Sequence, residues 1–146
     1  MSHDATRRPG GSPATPAGRA AQRAFEIEFF ESVLRRNPRL TSVVRAHAQN
    51  LAAAGQVARA LYWDLRHARL EPDDPIPQYN VACMLARLGE IDDAFDALER
   101  ALALGYPEMR WILRDPDLRG LRRDPRYPAL VGRLVRGRSE ERRELS

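Results

Sequence analysis

The sequence predicts an all-α protein, a short solenoid of helical hairpins with a C-terminal helical cap. First, apolar residues recur at spacings of three and four along most of the chain, as in amphipathic helices. Second, two helical stretches that each contain a glycine repeat with a period of 34 residues, from Gly55 to Gly89. Third, two Asp-Pro steps followed by leucines come after Pro107. A period of this length with helical texture indicates a repeat architecture.

The N-terminal part divides at about Arg19. Residues 1–18 are rich in proline and glycine and have no large apolar side chain after Met1, so we expect a disordered tail. Residues 19–38 form a half repeat, a single helix that Pro38 ends. One side of this helix is predicted to be apolar, and it carries Phe25, Phe29, Phe30, Val33 and Leu34.

Two full repeats are predicted next, over residues 41–74 and 75–107. Shifting the chain by 34 residues places Ala48, Leu51, Ala52 and Gly55 on Ala82, Leu85, Ala86 and Gly89. Each glycine is expected to take a left-handed conformation that ends the first helix and turns the chain. Each repeat is therefore a helical hairpin.

These residues resemble the tetratricopeptide repeat (TPR) family. The second copy carries the resemblance through Gly89, Ala94, Ala101 and Pro107, with Tyr79 and Asn80 upstream, and the first copy through Gly55, Ala60 and Pro72. The resemblance implies a TPR-type solenoid whose concave face holds a peptide or a partner's helix. It therefore implies a protein–protein interaction module or scaffold.

Residues 108–136 are predicted to form the cap, and residues 137–146 a charged tail. This region resembles the segment that closes many bacterial TPR arrays, the TPR end-of-group motif. Asp115 and Asp124 can cap helices that open with Pro116 and Pro125. We expect the apolar end of the last repeat to be covered by Trp111, Ile112, Leu118, Leu121, Tyr127 and Leu130.

The charge distribution leaves a second function open. All 24 basic residues are arginine, and the net charge is +4. Residues 25–109 carry nine arginines against thirteen acidic residues, whereas residues 110–146 carry eleven against six. The C-terminal arginines could neutralise phosphates, so a nucleic-acid-binding accessory protein is the alternative. Acidic residues interleaved among them favour a solvated face of self-pairing charges instead.

The chain offers no combination of residues typical of catalysis, and we predict that it is not an enzyme and has no cofactor. It has no Gly-rich phosphate loop, no paired-cysteine motif and no HExxH. The single cysteine, Cys83, excludes an internal disulfide and fits a reducing cytoplasm. No apolar run is long enough to cross a bilayer, so we expect a cytoplasmic protein with no membrane association.

Three polar residues of the first repeat, His47, Asp64 and His67, stand where the family keeps apolar or small residues. We expect them to meet in the interior. Two imidazoles and a carboxylate could hold a metal, but buried polar groups are more often hydrogen-bonded to one another. The prediction is therefore a polar cluster without metal.

The resemblance also suggests a specific ligand. TPR domains that bind a partner's C-terminal carboxylate use basic and amide side chains from successive first helices. The 34-residue register places Arg45, Gln49, Asn80, Arg110 and Arg114 at such positions. With Tyr79, Cys83 and Arg87 they form the predicted groove residues, and the implied partner is a protein or peptide with a free C-terminus.

Overall fold

The computed structural model describes residues 14–146, a range that is helical and contains no strand. The predicted all-α class is therefore confirmed for this part of the chain. The predicted repeat starts at 41 and 75 coincide with the first residues of two helices. A 3₁₀ turn covers Pro116–Leu118, and the α-helices are α1 Pro16–Arg36, α2 Thr41–Ala53, α3 Val57–Leu70, α4 Pro75–Arg87, α5 Ile91–Ala103, α6 Met109–Ile112, α7 Arg119–Arg122 and α8 Arg126–Glu144.

Glycine turns end three of the helices, and they share one geometry. Gly55, Gly89 and Gly105 have φ values of 79°, 80° and 93°. After Gly55, the amide of Gln56 donates to the carbonyl of Leu51 at 2.9 Å, and the other two turns make the equivalent bond. This pattern satisfies carbonyls that a helix end leaves free. The predicted left-handed glycines at 55 and 89 are confirmed, and Gly105 is a third.

Side-chain caps start three elements, as short polar residues before proline should. The amide of Ile76 donates to Asp74 at 2.9 Å, and the amide of Asp117 donates to Asp115 at 2.9 Å. The amide of Gly18 donates to the Thr15 hydroxyl at 3.0 Å. Helix α1 thus begins at Pro16, inside the predicted 1–18 tail, so that boundary is corrected. The remainder of the predicted tail, residues 1–13, lies outside the described residues.

The helices pack in chain order, α1 on α2, α2 on α3, α3 on α4 and α4 on α5. Small side chains allow the close approach. Ala60 on α3 and Ala82 on α4 are fully buried, as are Ala94, Ala97 and Ala101 on α5. The large side chains of the core are Leu51, Leu98, Phe95 and Val81. One continuous core therefore follows the row of hairpins.

The C-terminal segment folds back onto the last hairpin. The 3₁₀ turn and α7 pack on α4, and α7 also packs on α5. The predicted covering residues are buried with one exception, since Trp111 is 41% exposed and faces a surface groove instead. Helix α8 continues to Glu144, so the charged segment predicted from residue 137 is helical over most of its length.

The predicted apolar face of α1 is also corrected. Phe25 and Phe29 are 52% and 54% exposed, and their rings stack on each other with centroids 6.4 Å apart. The buried residues of α1 are Gly18, Ile27 and Leu34, and of these only Leu34 belongs to the predicted face. The reason is that α1 packs mainly on α2, so only one narrow row of side chains is covered.

Candidate functional site

A groove of about 370 Å³ opens on the surface between α2, α4 and the segment 111–117. Five of the predicted groove residues line it, namely Gln49, Tyr79, Asn80, Cys83 and Arg87. Its other lining residues are Ala48, Ala52, Ala53, Asp64, Met84, Trp111, Asp115 and Asp117. We call this the acidic groove, because three of its four charged side chains are aspartates.

Asp115 is the structural centre of the groove. Its side chain is 4% exposed, and its Oδ2 accepts the Tyr79 hydroxyl at 2.5 Å. The Cys83 thiol lies 3.7 Å from the same oxygen. The other oxygen, Oδ1, caps the 3₁₀ turn through the amide of Asp117. Asp115 therefore joins α4 to the C-terminal segment and has no oxygen free of a protein donor.

The neighbours of Asp115 are neutral donors. Burial, then the nearby Cys83 and Asp115, hold the pKa of Tyr79 above its ordinary value. Burial, followed by Asp115, likewise raises the pKa of the Cys83 thiol. The Tyr79 ring stacks on Tyr106 at 4.1 Å, and burial raises the pKa of Tyr106 to about 12. A thiol held in its protonated form is a poor nucleophile and a poor metal ligand.

Asp64, on α3, enters the groove wall without a partner. It is 4% exposed, yet it lines the groove, and neither carboxyl oxygen is sealed from solvent. Among the described residues no hydrogen bond or ion pair reaches it. Burial raises its pKa to about 7, because an ionised carboxylate loses hydration there and gains nothing in return.

Arg87 and Asp117 form the rim of the groove. The Arg87 guanidinium donates to the carbonyl of Ala52 at 3.2 Å, and its Nε lies 3.8 Å from Asp117 Oδ1. The pKa of Asp117 is raised by burial and by Asp115, and Arg87 opposes that rise. One guanidinium therefore stands against three carboxyl groups.

The remaining predicted groove residues lie elsewhere. Arg110 and Arg114 line a separate depression of about 450 Å³, together with Glu108 and Arg138. Trp111 borders both cavities. Arg45 is exposed on α2 and lines neither of them. The five residues of the expected carboxylate site are thus not gathered around one cavity.

The expected meeting of His47, Asp64 and His67 is wrong. All three are buried, but they do not form a group of close ligand atoms within residues 14–146. His47 contacts the rings of Phe30 and Trp63 edge-on at 6.4 and 5.3 Å. His67 Nε2 lies 3.1 Å from Glu71. The two histidines thus contact different neighbours, His47 the aromatic rings and His67 the carboxylate of Glu71.

Two other clusters bring metal-type ligand atoms within 4.8 Å of one another: Cys83–Asp115–Asp117 and His67–Glu71–Asp74. In the first, Asp115 already accepts three protein donors and the thiol keeps its proton. In the second, Asp74 caps α4. Both sets of residues are occupied by structural bonds, so neither fits a metal centre well.

Sequence reasoning missed Asp64, Met84, Trp111, Asp115 and Asp117 as groove residues. The Asp-Pro step was recognised as a cap, which uses one oxygen of Asp115. Its second oxygen reaches Tyr79 across 36 positions, and no local pattern reports such a contact. The one available signal was Asp64, an acidic residue at a position expected to face inward.

Four of the eleven C-terminal arginines make hydrogen bonds or ion pairs within the described residues. Arg122 donates to the carbonyls of Ile112 and Asp115 at 3.1 and 2.6 Å. Three further arginines pair with neighbouring elements: Arg126 with Asp92 and Asp124, Arg133 with Glu99, and Arg138 with the Pro107 carbonyl. Of these contacts only the Arg126–Asp124 pair joins an arginine to one of the interleaved acidic residues.

Comparison with known proteins gives one partial similarity and no family. No family model matches the chain. Over 56 residues it is 38% identical to a chloroplastic protein of Arabidopsis thaliana. That match covers 38% of this chain and 17% of the plant protein, so the chain spans a minor part of that relative. No helix within residues 14–146 is long and apolar enough to cross a membrane.

Proposed function

We propose that this protein is a TPR-type interaction module that binds an extended peptide or a helix of a partner protein in the acidic groove. The observation that carries the proposal is the meeting of five side chains at that surface. Gln49 and Asn80 were predicted from the repeat register, Tyr79, Cys83 and Arg87 were predicted beside them, and all five line one cavity. Its volume, about 370 Å³, lies at the small end of the range for ligand pockets and suits one or two anchoring side chains.

The surroundings of the groove support a peptide ligand. Trp111 is partly exposed between the acidic groove and the depression of Arg110, Arg114 and Arg138, which we call the basic depression. Aromatic side chains of this kind supply much of the binding energy at interfaces. A segment lying across Trp111 contacts both cavities.

The C-terminal carboxylate expected from the family is proposed for the basic depression. Arg110 and Arg114 remain its candidate donors, since arginine can bind a carboxylate through two hydrogen bonds. Gln49 and Asn80 belong to the acidic groove, where carboxylates would repel a second anion. The proposal thus assigns four of the five expected residues to two parts of one ligand and leaves Arg45 out.

A peptide-library selection on the full chain tests the function. Gln49 is exposed on the groove wall, so Gln49→Trp should fill the groove without disturbing the core. Arg45→Trp is the matched control, one turn away on the same helix and outside both cavities. We expect selected peptides to bind the wild type and Arg45→Trp equally and Gln49→Trp at least tenfold more weakly. Equal binding to all three proteins would refute the groove as the site.

A second measurement tests the carboxylate. Each selected peptide is compared, by calorimetry, with its C-terminal amide. If the wild type binds the acid more tightly than the amide and Arg114→Ala binds the two equally, the basic depression is supported as the carboxylate site. Equal affinity for acid and amide removes the carboxylate from the proposal and leaves the groove.

A further inference from the structure

The acidic groove has a charge excess that its own residues do not neutralise. Asp64, Asp115 and Asp117 line it, and Arg87 is its one basic side chain. Arg87 approaches Asp117 at 3.8 Å, too far for a hydrogen bond. Charged surfaces tend to meet surfaces of opposite charge at an interface.

Asp64 is the residue that points to a ligand. A carboxyl group buried to this extent normally has a donor, because an unpaired one loses its hydration without compensation. No donor reaches Asp64 among residues 14–146, its oxygens are not sealed from solvent, and it lines the groove. The missing donor can therefore be supplied from the groove side.

We propose that the acidic groove receives a positively charged side chain, an arginine or lysine of the bound partner segment, which pairs with Asp64 on one wall and with Asp117 on the rim. This inference rests on the proposed function, since it names the chemistry of the anchoring residue. Asp115 contributes its negative charge but keeps its bonds to Tyr79 and Cys83.

The remaining lining residues suit the stem of such a side chain. Met84, Ala48 and Ala52 offer apolar surface to the methylene groups, and long cationic side chains bury their stems in this way. The ring of Trp111, partly exposed at the edge, can take the cation over its face on entry. Arginine fits best, because its planar group can donate to two carboxylates at once.

A bare metal ion fits less well. Cys83 and Tyr79 are held in their protonated forms by burial, and Asp115 has no uncommitted oxygen. The oxygens of Asp64 and Asp117 alone leave most of a metal's coordination to water. A cationic side chain needs only the acceptors that are free.

The test uses two probes of the same shape on the full chain labelled with ¹⁵N: Nα-acetyl-arginine amide and Nα-acetyl-citrulline amide. The second replaces the guanidinium by a neutral urea. We expect the arginine probe to shift the side-chain amide of Asn80 and the indole NH of Trp111. Its affinity should exceed that of the citrulline probe by about fivefold or more. Equal shifts from the two probes would mean that charge is not recognised.

Variants locate the effect. Asp64→Asn should weaken the arginine probe about fivefold and leave the citrulline probe unchanged. Asp93→Asn removes the same charge from an exposed site on α5 and should leave both unchanged. An Asp64→Asn protein that binds arginine like the wild type overturns the inference. So does Zn²⁺ or Ca²⁺ that binds one per chain and displaces the arginine probe at micromolar concentration.

The two proposals fail in different ways. If the selected peptides lose affinity for Gln49→Trp but are not enriched in arginine or lysine, the proposed function is supported and the cationic anchor is refuted. Peptides that bind Gln49→Trp as well as the wild type refute the groove itself. In that case the arginine probe still reports on Asp64 independently.

Discussion

The hydroxyl of Tyr79 on α4 lies 2.5 Å from Oδ2 of Asp115, 36 positions further along the chain. Both groups are buried, so the bond is shielded from water. It joins the second hairpin to the segment that precedes the 3₁₀ turn. The same two residues line the acidic groove, and its shape therefore depends on this contact.

Removing that hydroxyl should weaken the protein. Tyr79→Phe removes the hydroxyl that donates to the buried Oδ2 of Asp115. We therefore expect the free energy of unfolding to fall by about 1–3 kcal/mol. Urea denaturation measures the change. Tyr62→Phe is the control, because Tyr62 is 59% exposed, and it should have no measurable effect. Equal losses in the two variants would contradict the assigned role of the bond.

The stability of the protein should fall as pH rises from about 4 to about 7 through Asp64. Its pKa in the folded protein is about 7, against an ordinary value of 3.8. In this window the folded state holds the proton that the unfolded state has lost, so ionisation works against folding. This difference between the two pKa values corresponds to a loss of roughly 4 kcal/mol in the free energy of unfolding once Asp64 is fully ionised. Above pH 7 no further loss from this group is expected.

Asp64→Asn isolates this contribution, since the amide cannot ionise. Relative to wild type, the variant should be more stable at pH 8 than at pH 4.5, and Asp93→Asn should show no such pH dependence. Asp115, Asp117, Arg87, Cys83 and Tyr79 also line the groove and are unchanged in both proteins. A parallel pH profile for Asp64→Asn and wild type would contradict the raised pKa. The earlier expectation that Asp64 supports a histidine partner is replaced by this one.

His47 should make the protein sensitive to acid. It is fully buried, and neither ring nitrogen has a hydrogen-bond partner, although Glu31 lies 3.5 Å from Nε2. Burial lowers its pKa below the ordinary 6.5. Its stabilising contribution is therefore complete above pH 6.5 and is lost as pH falls towards the folded pKa.

His47→Leu should remove both the loss of stability in acid and the two unpaired ring nitrogens. We expect an increase in unfolding free energy of about 1 kcal/mol or more at pH 7, and a larger one at pH 5. Thermal denaturation at both pH values gives the comparison. A variant that is less stable than wild type at pH 5 would show that the imidazole has a partner that it needs.

Replacing two of the glycines by alanine should change the free energy of unfolding in opposite directions. Gly89 has a φ of 80°, which L-residues adopt only with strain, so Gly89→Ala should destabilise by about 1–2 kcal/mol although a Cβ meets nothing. Gly137 lies within α8 with open space around it, and Gly137→Ala should stabilise by about 0.5–1 kcal/mol. Chemical denaturation of the two variants tests both signs, and a stabilising Gly89→Ala would contradict the turn geometry.

The parts of the fold that short-range chemistry determines could be predicted from the sequence. Gly55 and Gly89 end helices because they take a left-handed conformation, and Asp74 and Asp115 begin elements because their carboxylates meet free amides. The family resemblance then placed Gln49 and Asn80 at the amide positions of two successive first helices, and both line the groove. Such signals lie within a few residues of one another.

Long-range contacts could not be predicted in this way. Three features of the groove depend on how the C-terminal segment lies on α4. They are the hydrogen bond from Tyr79 to Asp115, the position of Trp111 at the groove and the lack of a partner for Asp64. Phe25 and Phe29 had the right periodicity for a covered face, but no described helix covers them. Periodicity shows which side of a helix is apolar, and tertiary packing decides whether that side is buried.

The groove takes Gln49 from an early part of the chain and Asp115 and Asp117 from a late part. During translation the N-terminal helices leave the ribosome first. A nascent chain that has exposed only the hairpins has part of the groove wall and none of the carboxylates of the 111–117 segment. The complete groove therefore forms late in synthesis, and unfinished chains lack it.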